Sequence, residues 1–191
     1  MNRQGNAKQK IKDAFLSIYS EKDLNQITIR DITNYAGVYR GTFYYYYADI
    51  FDLLEDIEKD MKATAIKELI PIIKSLLNGK VTHRDLVFIE NFYTKYEQRV
   101  KLFLIKKPNL KLIDFMKASI KKTILENFSL TESSLPEEFH YITEFMVSGQ
   151  ISIIRMWLKE NRALDVERLH KAIKICNILL LKQLAEQGIE H

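Results

Sequence analysis

Residues Thr28 to Tyr47 constrain this chain most. Thr28 stands three residues before Asp31, the order of an N-cap threonine whose acid partner can bond back to it. Ile29, Ile32 and Ala36 fall on one face, so a short helix buries that side and runs to about Ala36. Gly37 follows where a helix closes in the left-handed conformation. Val38 is an anchor, and a second helix over about 39–46 sends Phe43, with Tyr47, into the core. Helix, glycine turn, helix is a helix-turn-helix. The other face of the second helix holds Tyr39, Arg40, Thr42, Tyr44, Tyr45 and Tyr46, a single charge among hydroxyls and rings. A face meant for water would be rich in Lys and Glu. This one suits a major groove: arginine can bond guanine O6 and N7, hydroxyls can bond phosphates, and rings can touch thymine methyls. Gly41 lets the helix approach closely.

The flanks agree with a helical chain. Ala7, Ile11, Ala14, Phe15 and Ile18 have helical spacing, with Lys8, Lys10 and Lys12 mostly off that stripe. Residues 1–47 hold seven Lys/Arg against four Asp/Glu, and the remainder 22 against 21, so the positive excess gathers where phosphates could use it. Asp49 is positioned to cap a helix with Ile50, Leu53, Leu54, Ile57 and Met61 on its apolar face. That helix is expected to reach about Asn78 and to be kinked or ended by Pro71. Further helices are predicted over 84–98, 99–106, 109–128 (opened by Pro108), 136–160 (Pro136 in its first turn) and 166–187, capped by Asp165. With 6 Gly and 3 Pro in 191 residues and no alternating pattern, the fold class is all-α.

The last two helices are apolar on more than one face and must bury more than one. A partner chain could cover the second face, placing Ile151, Ile154, Leu158, Ile175, Ile178 and Leu181 in a two-fold dimer contact. Phe92, Tyr96, Phe103, Phe115, Phe145 and Arg155 are the candidates to line a small-molecule cavity, which would lie between the helix from Asp49 and those at 84–128 and 136–160.

The stretch Thr28-Ile29-Arg30-Asp31-Ile32, then Ala36-Gly37-Val38-Tyr39-Arg40-Gly41-Thr42-Phe43-Tyr44 with Tyr46 and Tyr47, then Leu53-Leu54, resembles the TetR/AcrR family of bacterial regulators over about residues 7–54. The resemblance implies a three-helix DNA-binding domain at 1–48 and a helical ligand-sensing and dimerisation domain at 49–191. By position it implies a phosphate contact at Thr28, a groove-facing Arg40, Gly41 and Thr42, and a backbone contact at Tyr44. Tyr39 departs from the small residue usual there, and Ile50 from a common lysine. The function implied is a sequence-specific transcription regulator, a repressor released from a palindromic operator by a small molecule. The alternative is a same-fold coactivator or helical ligand-binding protein that does not touch DNA.

Other chemistries find little footing. Cys176 is alone, so no internal disulfide or multi-thiolate metal site can form, and its apolar neighbours predict a core position. His83, His140, His170 and His191 are scattered without metal or catalytic spacing, and no glycine-rich phosphate loop occurs. No enzyme activity, metal or cofactor is expected. No secretory leader is seen and no apolar run approaches the ~20 residues of a membrane span, so a cytoplasmic location is expected.

Overall fold

The computed structural model describes residues 3–77, 81–127, 131 and 137–186, with side chains over 6–75, 81–127, 131, 137–138 and 140–176. It is all-α, with helices α1 (Arg3–Tyr19), α2 (Ile29–Ala36), α3 (Arg40–Tyr46), α4 (Ile50–Thr64), α5 (Ile70–Leu77), α6 (His83–Lys101), α7 (Leu110–Asn127), α8 (Glu137–Lys159) and α9 (Val166–Glu186). The chain divides into two compact units, Met1–Thr64 and Ala65–His191. The division therefore falls after α4, and the boundary expected after residue 48 lies inside the first unit. The reason is that α4 is apolar towards its own unit: Leu53 and Ile57 are buried, and Asp56 pairs with Lys8 and Lys12 of α1.

In the first unit α1 packs on α2 and α3. The side chains removed from water include Ile11, Phe15, Ile32, Phe43, Leu53 and Ile57. Lys12, expected off the apolar stripe, is buried as well. Asp49 caps α4 as its position foretold, its Oδ1 accepting from Asp52 N–H at 2.9 Å.

The helix expected from Asp49 to Asn78 is not continuous. Pro71 has no N–H to give the carbonyl of Lys67, four residues back, and its ring crowds that carbonyl. The chain responds upstream, widening into a π turn over Ala65–Leu69 before α5 resumes. A second π turn, Leu102–Lys106, takes the place of a separate helix at 99–106. Pro108 does not open α7; Asn109 caps it, accepting from Leu112 N–H at 3.0 Å. Pro136 lies outside the described residues.

The second unit packs α5 on α7, α7 on α8, and α6 on α9. Its main core gathers Ile72, Phe92, Tyr93, Trp157, Leu158 and Leu169, and a smaller one Ile120, Ile124 and Val147. The α8–α9 corner is strained: Asn161 (φ 52°) and Arg162 (φ 59°) are both left-handed without being glycine, costing about 1–3 kcal/mol each. Several bonds hold it. Arg162 donates to Thr94 Oγ1 (2.9 Å) and Glu97 Oε2 (3.0 Å), and Trp157 Nε1 donates across the turn to Leu164 O at 2.7 Å. Asp165 then caps α9 through Arg168 N–H, 2.8 Å.

Candidate nucleic-acid interface

The helix-turn-helix is built from local bonds. Thr28 Oγ1 accepts from Asp31 N–H (3.1 Å) and donates to Asp31 Oδ2 (2.7 Å), while Thr28 N–H donates to the same carboxylate oxygen at 3.0 Å. The Thr28 hydroxyl, then its backbone N–H, hold the Asp31 carboxyl below its ordinary value. With the Thr28 hydroxyl proton given to Asp31, what this helix start offers a phosphate is chiefly backbone N–H. Gly37 closes α2 at φ 63°, its N–H reaching Asn34 O and Thr33 O, with Val38 N–H bonded to Thr33 O at 3.0 Å. A residue with a Cβ would be strained there, and the turn sets the direction of α3.

α3 has one buried side, Phe43, whose ring meets Tyr44 edge-on at 5.8 Å and Tyr47 at 5.7 Å. The opposite side is open. Arg40 Nη2 donates to Tyr44 Oη at 3.2 Å, and its guanidinium carbon stands 5.6 Å from that ring's centre. Tyr45 is exposed and meets Tyr46 edge-to-face at 4.9 Å. Tyr46 and Thr42 are half-buried, so of the expected groove-facing set they present least. A Cβ built on Gly41 meets nothing within 4 Å. Tyr39 is 88% exposed. Tyr35, on α2 just before the turn, is also exposed; sequence reading passed over it, although it lies off the Ile29–Ile32–Ala36 stripe.

Behind α3 lies a charged relay. Tyr47 Oη donates to Asp56 Oδ2 (2.8 Å), which also receives Lys8 (2.9 Å) and Lys12 (2.8 Å); Lys12 reaches Asp60 at 2.5 Å. Burial alone would raise the Asp56 carboxyl, but the bonds from Lys12, Lys8 and Tyr47 together outweigh it and hold it well below the carboxylate range. Burial, then the bond to Asp56, push the Tyr47 hydroxyl well above its ordinary value. Two lysines of the basic N-terminal stretch are thus committed internally. Over residues 1–64 the chain holds nine Lys/Arg against ten Asp/Glu, a net of −1, because α4 is acidic. The cations exposed on this unit include Lys10, Lys22, Arg30 and Arg40.

In the second unit the cavity candidates do not converge. Phe92 and Phe103 are packed in the interior, and Tyr96 is half-buried with its hydroxyl given to Glu68 at 2.9 Å. Phe115 is half-buried, while Phe145 and Arg155 are exposed. None of the six lines the cleft of about 250 Å³ between α7 and α8, whose walls are Asp114, Lys117, Ala118, Lys121, His140, Thr143, Glu144 and Val147. Of the expected dimer residues, Leu158 is wholly inside the core, and Ile151 and Ile154 pack inward on the two clusters. Ile175 is exposed; the side chains of Ile178 and Leu181 lie outside the described residues. Cys176 is exposed, not a core residue as its apolar neighbours suggested, because it falls on the outward side of α9. The exposed apolar side of α8 carries Tyr141, Phe145 and Met156, with Gly149 and Ser152 between them. No helix among the described residues is long and apolar enough to cross a membrane.

No protein-family model matches the chain. It is 39% identical over 56 residues to the uncharacterized HTH-type transcriptional regulator YxbF of Bacillus subtilis; the match spans 29% of this chain and 15% of that relative's length. The structure is similar to a TetR transcriptional regulator from Streptococcus agalactiae, with a TM-score of 0.60 and 23% identity, covering 90% of this chain and 93% of the other. It is also similar to the dihydroxyacetone kinase operon activator DhaS (TM-score 0.57, 18% identity, 94% and 96% covered).

Proposed function

From a chain that has the all-α fold of the TetR transcriptional regulators, we propose a homodimeric, sequence-specific DNA-binding regulator that acts in the cytoplasm and reads a palindromic operator with α3. The observation that carries this reading is the open face of α3, where one guanidinium and several tyrosines surround a glycine that leaves room for a close approach. In this reading Arg40 bonds a guanine, backbone N–H groups at the start of α2 and the Tyr44 hydroxyl meet phosphates, and Gly41 brings the backbone to the groove. Enrichment of genomic fragments by the purified protein, followed by sequencing, tests it.

Two variants sharpen the test on the enriched operator. Arg40→Ala is expected to cost about 1–3 kcal/mol and to relax specificity at one position per half-site; equal loss on operator and scrambled DNA in a binding titration counts against base reading. Gly41→Ala is expected to melt no lower than wild type, since the added methyl meets open space and alanine favours helix by up to about 1 kcal/mol, yet to bind operator more weakly. Unchanged affinity would show that the backbone stays away from the groove.

One observation favours a second reading, a same-fold coactivator that contacts protein instead of DNA: the net charge of −1 on the first unit. The two separate on salt. A DNA binder loses affinity steeply as salt rises, and a coactivator retains no mixed genomic DNA even at low salt.

The regulatory sign we propose is repression relieved by a small molecule. Two recognition helices must stand about 34–36 Å apart to enter successive grooves. The π turn at Ala65–Leu69 opens the second unit, which begins directly after Thr64. A ligand that prefers one arrangement of that segment lowers DNA affinity, and DNA weakens the ligand equally. The α7–α8 cleft, lined by both signs of charge, suits a small polar effector. A thermal-shift screen followed by operator binding with each hit tests this; tight hits that leave operator affinity unchanged remove the regulatory role.

A further inference from the structure

Tyr39 is a residue for which this chain's own fold has no use. It occupies the N-cap of α3, where Ser, Thr, Asp or Asn would bond the free N–H groups of the helix start, and its side chain makes no cap bond. Its ring is 88% exposed, the most of any large hydrophobic described. The neighbouring tyrosines are engaged: Tyr44 receives Arg40, Tyr45 meets Tyr46, and Tyr47 bonds Asp56. A large apolar surface thus stands in water one residue before Arg40, at the end of the recognition helix that enters a groove first.

We propose that Tyr39 is a specificity-determining residue whose ring packs on the C5-methyl of an operator thymine beside the base pair that Arg40 reads. The inference rests on the DNA-binding reading above. Of the base-edge groups in the major groove, the thymine methyl is the apolar one, and an uncharged ring at a base edge gains most by covering it. The low charge of the unit points the same way. Lys8 and Lys12 are held by Asp56 and Asp60, which leaves fewer cations of this unit for phosphates.

The test replaces each thymine of the enriched operator in turn by deoxyuracil, which removes the methyl and nothing else. Wild type is expected to lose roughly fourfold in affinity at one thymine per half-site, the worth of a buried methyl. Tyr39→Ala is expected to bind the thymine and uracil forms equally at that position while keeping its preferences elsewhere; Tyr39→Phe is expected to discriminate as wild type does. Because Tyr39 is 88% exposed, the melting temperature of both variants should match wild type. Silence at every uracil overturns the proposal. So does a Tyr39→Ala protein that still discriminates at every position, or a Tyr39→Phe protein weakened equally on all sequences, which would mark a phosphate contact. Failure to retain any genomic fragment overturns the DNA-binding reading and this one with it, whereas a bound operator with silent uracils overturns this one alone.

Discussion

Lys12→Met is expected to cost the first unit about 3 kcal/mol. The ammonium of Lys12 is nearly sealed from water (side chain 6% exposed) between Asp56 and Asp60, at 24% and 47%. Removing one partner of a buried pair costs about 3–5 kcal/mol, because the charge left behind is desolvated and unpaired. The lower end applies here, since Asp56 keeps its bonds from Lys8 and Tyr47 and water screens the half-exposed Asp60. Methionine keeps the length of the stem, so the loss reports charge and not a cavity. Urea unfolding followed by a probe in the first unit measures it, and a shift below about 1 kcal/mol would show that the relay contributes little. The pH dependence has a definite sign. Asp56 is held below its ordinary value, so its contribution is present above an unfolded carboxyl pKa of about 3.9 and is lost as pH falls through the folded value. Tyr47 is raised, so its contribution is present below about 10 and is lost as pH climbs through the folded value. Wild-type stability should therefore fall on the acid side, and Lys12→Met should show a flatter acid limb.

The paired change Tyr141→Glu with Phe145→Glu is expected to shift the dimer towards monomer by at least a hundredfold in Kd. Both side chains are exposed in the single chain, at 68% and 67%, so neither change removes a core contact. If the exposed apolar side of α8 forms the contact of the proposed dimer, unpaired carboxylates there cost several kcal/mol; about 2.8 kcal/mol is already a hundredfold. Operator affinity should collapse with the dimer, because one protomer engages only one half-site. Light scattering across a concentration series decides it. A wild type that is monomeric at micromolar concentration, or a variant that remains dimeric, removes α8 from the interface.

What was legible in the sequence was what neighbours in sequence decide. The Thr28–Asp31 box, Gly37 and the caps at Asp49 and Asp165 each depend on residues three or four apart, and each stands where the sequence reading put it. What was missed depends on packing. Lys12 looks like a surface lysine until Asp56 and Asp60 arrive from a distant helix. The inclusion of α4 in the first compact unit depends on the same long-range packing. α8 is apolar on more than one face, so composition could not tell that Ile151, Ile154 and Leu158 turn inward while Tyr141 and Phe145 turn out. Cys176 was misplaced by the same ambiguity on α9. Arg162, spaced 65 residues from Glu97, gave no local sign of its role in the α8–α9 corner. In the candidate interface, the residue types on α3 were readable, but the commitment of the Thr28 hydroxyl to Asp31 and the outward stance of Tyr35 were not.

The bond from Lys12 to Asp60 spans 48 positions, and that separation orders events on the ribosome. Chains emerge N-terminal end first, at about 5–20 residues per second. When α3 has left the exit tunnel the helix-turn-helix has all its helices but not its counterions, and Lys12 has no carboxylate to be buried against. The full set of ion pairs around Lys12 is therefore expected only once α4 follows, on the order of a second later at those speeds. Lys12 gains its carboxylates only when the acidic helix that completes the unit has followed.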